Sequence, residues 1–152
     1  MPDGIVLEPG GGRHLALGPA DIDVKVTGEE TRGALTFIEV TGPPGFPGPP
    51  PHVHRAHDEL FFVTEGEWEF RVGDRTFRAG PGMFAFVPRG VPHAFSNPGD
   101  SPAKLVGTFS PPGYERYFEE LVAAAPAGGG MPHPTVIYEI MARYQTEPAP
   151  PS

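Results

Sequence analysis

Glycine and proline bracket one short alternating apolar run after another, as at Gly73-Asp74, Gly80-Pro81-Gly82, Pro88-Arg89-Gly90 and Pro98-Gly99-Asp100. Turn chemistry at that frequency leaves room only for many short strands. The 21 glycines and 22 prolines would otherwise suggest a disordered chain. Strands are predicted over 22–26, 34–40, 51–56, 59–64, 67–72, 75–78, 83–87, 93–96 and 105–109. Glu67-Trp68-Glu69-Phe70-Arg71-Val72 alternates cleanly, which turns Trp68, Phe70 and Val72 to the core. After Pro111-Pro112-Gly113 the period becomes helical: Tyr114, Phe118, Leu121 and Val122 share one stripe, and a second helix is predicted over 135–144. The fold class is therefore all-β, a double-sheet jelly roll with one or two C-terminal helices packed outside it, near one mouth or an edge.

A chain of 152 residues holds one domain with a real core. Its expected parts are an N-terminal arm and strand over 1–30, the barrel over 31–112, the helices over 113–145 and a Pro-rich tail over 146–152. The first ten residues, 42–51, 126–134 and the end after Glu147 read as loose. A net charge of -8 with no basic patch argues against a nucleic-acid face. No apolar run approaches membrane-spanning length, no signal core is visible at the N-terminus, and there is no cysteine. A cytoplasmic protein without disulfides is expected.

Two segments carry the chemistry. In the first, His52 and His54 are two apart in a predicted strand and so share a face. The polar stretch Arg55 to Asp58 could hold a bend or bulge that changes parity and returns Glu59 to that face. In the second, Pro88-Arg89-Gly90 turns the chain and hands His93 to the next strand. Three imidazoles and one carboxylate suit one divalent transition metal, whether iron, nickel, manganese, cobalt, copper or zinc. The bland alternative, four solvated side chains, is the weaker reading for four metal-competent residues so spaced. His57 reads as solvated or supporting rather than as a direct participant, and His14 and His133 read as loop residues.

These segments resemble the two motifs of the cupins. The first, G-x5-H-x-H-x3,4-E-x6-G, fits from His52 through Gly66 and departs only at its leading glycine, where Phe46 stands between Gly45 and Gly48. The second, G-x5-P-x-G-x2-H-x3-N, fits throughout from Gly82 to Asn97. Residues 67–81 separate them, the short spacing of small microbial members. The chain thus resembles a single-domain cupin of the RmlC-like jelly-roll superfamily, a double-stranded β-helix, and is similar to bacterial quercetin-dioxygenase-like proteins. The resemblance implies that His52, His54, Glu59 and His93 bind the metal, that Glu59 also acts as a base, and that the chain pairs as a homodimer, with an N-terminal strand joining the neighbour's sheet.

Most of the aromatic inventory, Phe37, Phe84, Phe86, Phe109 and Phe118 included, is expected to fill the core. Phe61 and Phe95, each two residues from a proposed ligand, are the leading pocket candidates, with Phe37 and Phe109 beside them. No arginine is evidently inward, which disfavours a phosphate-bearing substrate. The expected function is a metal-dependent, quercetin 2,3-dioxygenase-like oxygenase acting with dioxygen on a flat aromatic or hydrophobic small molecule. Two rivals remain open: a non-redox cyclase or isomerase using the same ion as Lewis acid, and a non-catalytic small-molecule-binding module. No organic cofactor, nucleic acid or membrane partner is expected.

Overall fold

The computed structural model describes residues 3–150. Eleven strands and two helices follow one another: β1 (Arg13–Leu17), β2 (Ala20–Val26), β3 (Thr36–Gly42), β4 (His52–His54), β5 (Asp58–Glu65), β6 (Trp68–Val72), β7 (Arg75–Ala79), β8 (Phe84–Val87), β9 (His93–Ser96), β10 (Ala103–Ser110), α1 (Glu115–Ala124), α2 (Pro134–Arg143) and β11 (Thr146–Pro148). A six-stranded sheet runs β1-β2-β3-β10-β5-β8 and a five-stranded sheet runs β11-β4-β9-β6-β7, with every pairing antiparallel. This is the jelly roll that the turn pattern predicts.

Alternation fills the space between the sheets. Ile22 and Val24 of β2, Ile38 and Val40 of β3, Phe61 and Val63 of β5, and Leu105 and Phe109 of β10 face inward from the larger sheet, with Trp68 and Phe70 of β6 opposing them. Full burial of such side chains contributes roughly 1.5–3 kcal/mol each before conformational entropy is charged against it.

Parity corrects part of the aromatic reading. Glu59 pairs with Val87, and both face inward, so the next pair, Leu60 with Phe86, must face outward. Phe86 and Phe84, expected as core filler, are 50% and 58% exposed. Phe37 is turned out in the same way, between the inward Thr36 and Ile38.

Arg13–Leu17 and Ala20–Val26, within the expected N-terminal arm, pair as β1 and β2 of this chain's own six-stranded sheet. His14, expected in a loop, lies in β1 beside Asp23. The tail also departs from the expected loose end. Thr146–Pro148 adds β11 to the edge of β4, held further by Arg55 N–H to Gln145 O, Ala149 N–H to Pro51 O and the Arg55–Glu147 ion pair.

Both helices start where the chain supplies the chemistry. At α2, the side chain of His133 accepts the Thr135 N–H and Pro134 stands in the first turn, where a missing N–H costs nothing. At α1, the buried Glu115 carboxylate accepts the Gly28 and Gly113 N–H groups and the Thr36 hydroxyl. That one side chain ties the helix start to β3 and to the turn after β2. The helices sit over one end of the barrel, where Phe118, Leu121, Ile137 and Met141 share a cavity with barrel residues.

Candidate metal centre

The four proposed ligands converge, and they come from both sheets. His52 and His54 project from β4 and His93 from β9, where His52 and His93 lie directly opposite. Glu59 reaches them from β5 of the other sheet. The bend after His54 carries the chain between sheets, which is how parity is restored. It is stitched to the turn before His93: Gly90 N–H donates to His54 O at 2.8 Å, and Asp58 Oδ1 accepts the Arg89 N–H at 3.0 Å. Gly90 makes that turn at φ +89°. One ligand atom from each of the four residues lies within 4.8 Å of the others, and all four are buried.

Hydrogen bonding at the far side of the rings tests whether a cation fits. His52 Nδ1 faces Pro50 O at 2.8 Å and His93 Nδ1 faces Val91 O at 3.0 Å. A carbonyl only accepts, so both Nδ1 atoms carry the hydrogen and a neutral ring keeps its lone pair on Nε2. Yet His93 Nε2 also lies 2.9 Å from Glu59 Oε2, another acceptor. Either a second proton or a cation must satisfy that approach. An ion between the lone pairs and the carboxylate resolves the conflict without burying an imidazolium, so the residues present fit a divalent metal.

Charge and burial shape the ionisation of these four side chains. Burial, aided by the neighbouring His93 and His54, holds His52 down to about 3. Burial alone would raise Glu59, but hydrogen bonds from His54 and His93 keep it well below the usual carboxylate range. Burial would lower His93, and its bond to Glu59 outweighs that and raises it.

His57 is not solvated. It is 5% exposed, its ring centre is 4.2 Å from that of His54, Phe109 and Tyr114 pack against it, and its Nε2 has no hydrogen-bond partner. Burial pushes it down to about 3, so it is a neutral ring behind the ligands.

A cavity of about 370 Å³ opens onto His52, His54 and Glu59. Phe61, Phe95 and Phe109 line it, whereas Phe37 lies on the outer surface beside Leu35 and Ile5. The rest of the wall is apolar apart from Tyr114, Tyr117, Tyr138 and Thr146, and no lysine or arginine is among its described residues. Two contributors escaped the sequence reading. The Pro/Gly stretch at 46–50 forms one wall, pinned by Asn97, whose N–H donates to Phe46 O and whose amide donates to Gly42 O and Pro43 O. Thr146 enters from the tail. Asn97, at the end of the second motif, was the signal for the first; nothing in the local pattern signals the second.

Comparison with known proteins agrees with this architecture. Residues 38–109 match the cupin domain family. That segment of the chain is a cupin domain. A germin-like protein, subfamily 2 member 2, of Arabidopsis thaliana is 36% identical in an 87-residue alignment that covers 51% of this chain and only 39% of that protein's length. An RmlC-like cupin from Shewanella frigidimarina superposes with a TM-score of 0.63 at 22% identity, covering 75% of this chain and 96% of the other. A predicted oxalate decarboxylase from Thermotoga maritima gives 0.64 at 16% identity over 69% and 97%. At those identities the two structures speak for the fold alone. No helix among the described residues is long and apolar enough to cross a membrane.

Proposed function

We propose that this cupin is a metal-dependent enzyme, a quercetin 2,3-dioxygenase-like oxygenase acting on a flat aromatic or otherwise hydrophobic small molecule. The observation that carries the reading is the joining of a buried His-His-Glu-His cluster to a cavity walled by Phe61, Phe95, Phe109 and aliphatic side chains. A divalent ion held by His52, His54, Glu59 and His93 would supply Lewis acidity toward a substrate oxygen and a centre for oxygen chemistry. The apolar wall excludes water and holds the substrate's rings, while Glu59 is the group placed to take a hydroxyl proton. Its depressed proton affinity makes it a weak base until the ligand contacts loosen.

The same wall disfavours oxalate, the acid named for the Thermotoga relative. A small dianion would leave most of about 370 Å³ unfilled and find no cationic side chain. Tyr114 and Tyr117 favour the non-redox cyclase or isomerase as second reading, since burial raises both phenols, Tyr117 to about 12, and keeps them neutral donors on the cavity wall. The reading includes a homodimer, supported by the exposed apolar cluster of Phe62, Phe84 and Phe86 on the outer sheet face. Light scattering on Phe84→Glu tests that part: a monomer is expected if a second copy covers this face.

Dioxygen uptake by metal-loaded protein, followed with a flavonol and a catechol, tests the main reading. Uptake lost in Glu59→Ala and His93→Ala supports it. Turnover without oxygen consumption moves the chemistry to the second reading, and tight binding without turnover refutes an enzyme.

A further inference from the structure

Of the three histidines, His54 alone rests its Nδ1 on a side chain. The partner is Thr146 Oγ1 at 2.9 Å, placed there because Thr146 lies directly opposite His54 in the β11–β4 pair. Thr146 is 3% exposed, and its hydroxyl also approaches Tyr114 Oη at 3.1 Å and Tyr144 O at 3.3 Å. A hydroxyl has one hydrogen to give and lone pairs to accept with, so it can meet either tautomer of a neutral imidazole. A carbonyl, the partner of His52 and His93, can meet only one.

The two tautomers correspond to two states of the centre. His54 Nε2 lies 3.0 Å from Glu59 Oε2. Without an ion, the hydrogen belongs on Nε2, donated to Glu59, and Nδ1 must accept from Thr146. With an ion between them, Nε2 needs its lone pair, the hydrogen moves to Nδ1, and the Thr146 hydroxyl must turn its own hydrogen toward Tyr144 O or Tyr114. Resting on the metal-site reading above, we propose that Thr146 is a positioning residue for metal binding: its hydroxyl can turn to accept the Nδ1 hydrogen, which lets His54 take the tautomer that presents Nε2 to the ion, and the C-terminal strand is thereby part of the metal centre. Partners of this kind commonly change metal affinity 10–100-fold.

Cobalt(II) titration of the metal-free full chain by calorimetry tests this, with thermal unfolding as a check on the fold. Thr146→Val keeps the shape and β-branching but removes the hydroxyl, and should weaken cobalt binding by about 10-fold or more. Thr146→Ser restores the hydroxyl and loses the methyl, and should bind within a few-fold of the parent. A role in packing alone gives the opposite order, Val above Ser, and overturns the proposal. Should Thr146→Val not fold, Thr146→Ala takes its place, and cobalt affinity equal to the parent overturns the proposal there too. A parent chain that takes up no cobalt overturns the metal site itself, an outcome distinct from equal affinity in parent and variants.

Discussion

His93 Nε2 lies 2.9 Å from Glu59 Oε2, across the space between the two sheets. The contact raises the proton affinity of His93, so an incoming ion must displace that proton. Affinity for a divalent ion is therefore expected to fall as pH drops through the His93 titration, by up to about tenfold per pH unit. In Glu59→Gln the charge that retains the proton is gone, so binding should be weaker throughout and its pH dependence displaced to lower pH. Cobalt titrations from above neutrality down to mildly acid pH check both. An affinity that does not change with pH refutes the assignment of His93 as a proton-bearing ligand.

Acid should destabilise the metal-free protein. His52 and His57 are held down to about 3 from an ordinary 6.5. Between those values the unfolded chain binds protons that the native state refuses, so stability is present above 6.5 and is lost as pH falls toward 3. Glu59, also lowered, acts in the same direction below its ordinary value of 4.5. His93 is raised and acts oppositely: its contribution is full below 6.5 and lost as pH rises through its native value. One raised histidine does not offset two strongly lowered ones. Urea midpoints should fall steadily below neutrality, and His57→Leu should flatten the fall while leaving neutral stability equal or higher, because it removes a buried nitrogen without a partner. A steeper fall in that variant contradicts the reading.

How much of this was legible depended on whether a residue's role was local. His52 and His54 share a strand face, Glu59 follows a bend and His93 follows a turn, so spacing within two short segments pointed to all four residues of the buried cluster. Phe61 and Phe95 followed from the same period of two. Phe37, Phe84 and Phe86 did not, because their outward parity is set by pairing with strands distant in sequence. Thr146 was hidden for a different reason. Three residues ending in proline carry no periodicity, and β11 exists because β4 offers it an edge.

Gly48 is a close-approach position in the cavity wall. At φ +70° a Cβ there would stand 1.6 Å from Phe95 O, whereas at Gly45, also at +70°, it would meet nothing within 4 Å. Gly45→Ala should cost only the left-handed backbone penalty, about 1–2 kcal/mol. Gly48→Ala adds a clash that can be relieved only by moving the loop at 46–50 or β9. Denaturant unfolding of the two variants should show Gly48→Ala the less stable, with the difference measuring the contact; equal losses mean that the loop yields freely.

Glu115 fastens the helices over the cavity, and its three donors come from separate parts of the chain. Glu115→Ala leaves the buried Gly28 N–H without its acceptor and frees the start of α1, which brings Tyr114, Tyr117, Phe118 and Leu121 to the cavity. Orphaning such groups costs about 1–3 kcal/mol each, so a loss on the order of 3 kcal/mol is expected. Glu115→Gln should cost far less. Its carbonyl can still accept from Gly28, its amide can donate to the Thr36 hydroxyl, and Gly113 N–H retains Thr36 Oγ1 at 3.1 Å. Denaturant midpoints separate the two variants, and binding of an environment-sensitive apolar dye reports whether the cavity has opened. If alanine and glutamine prove equally costly, the charge rather than the hydrogen-bond geometry holds the helix; if both are harmless, α1 is held by its apolar face alone.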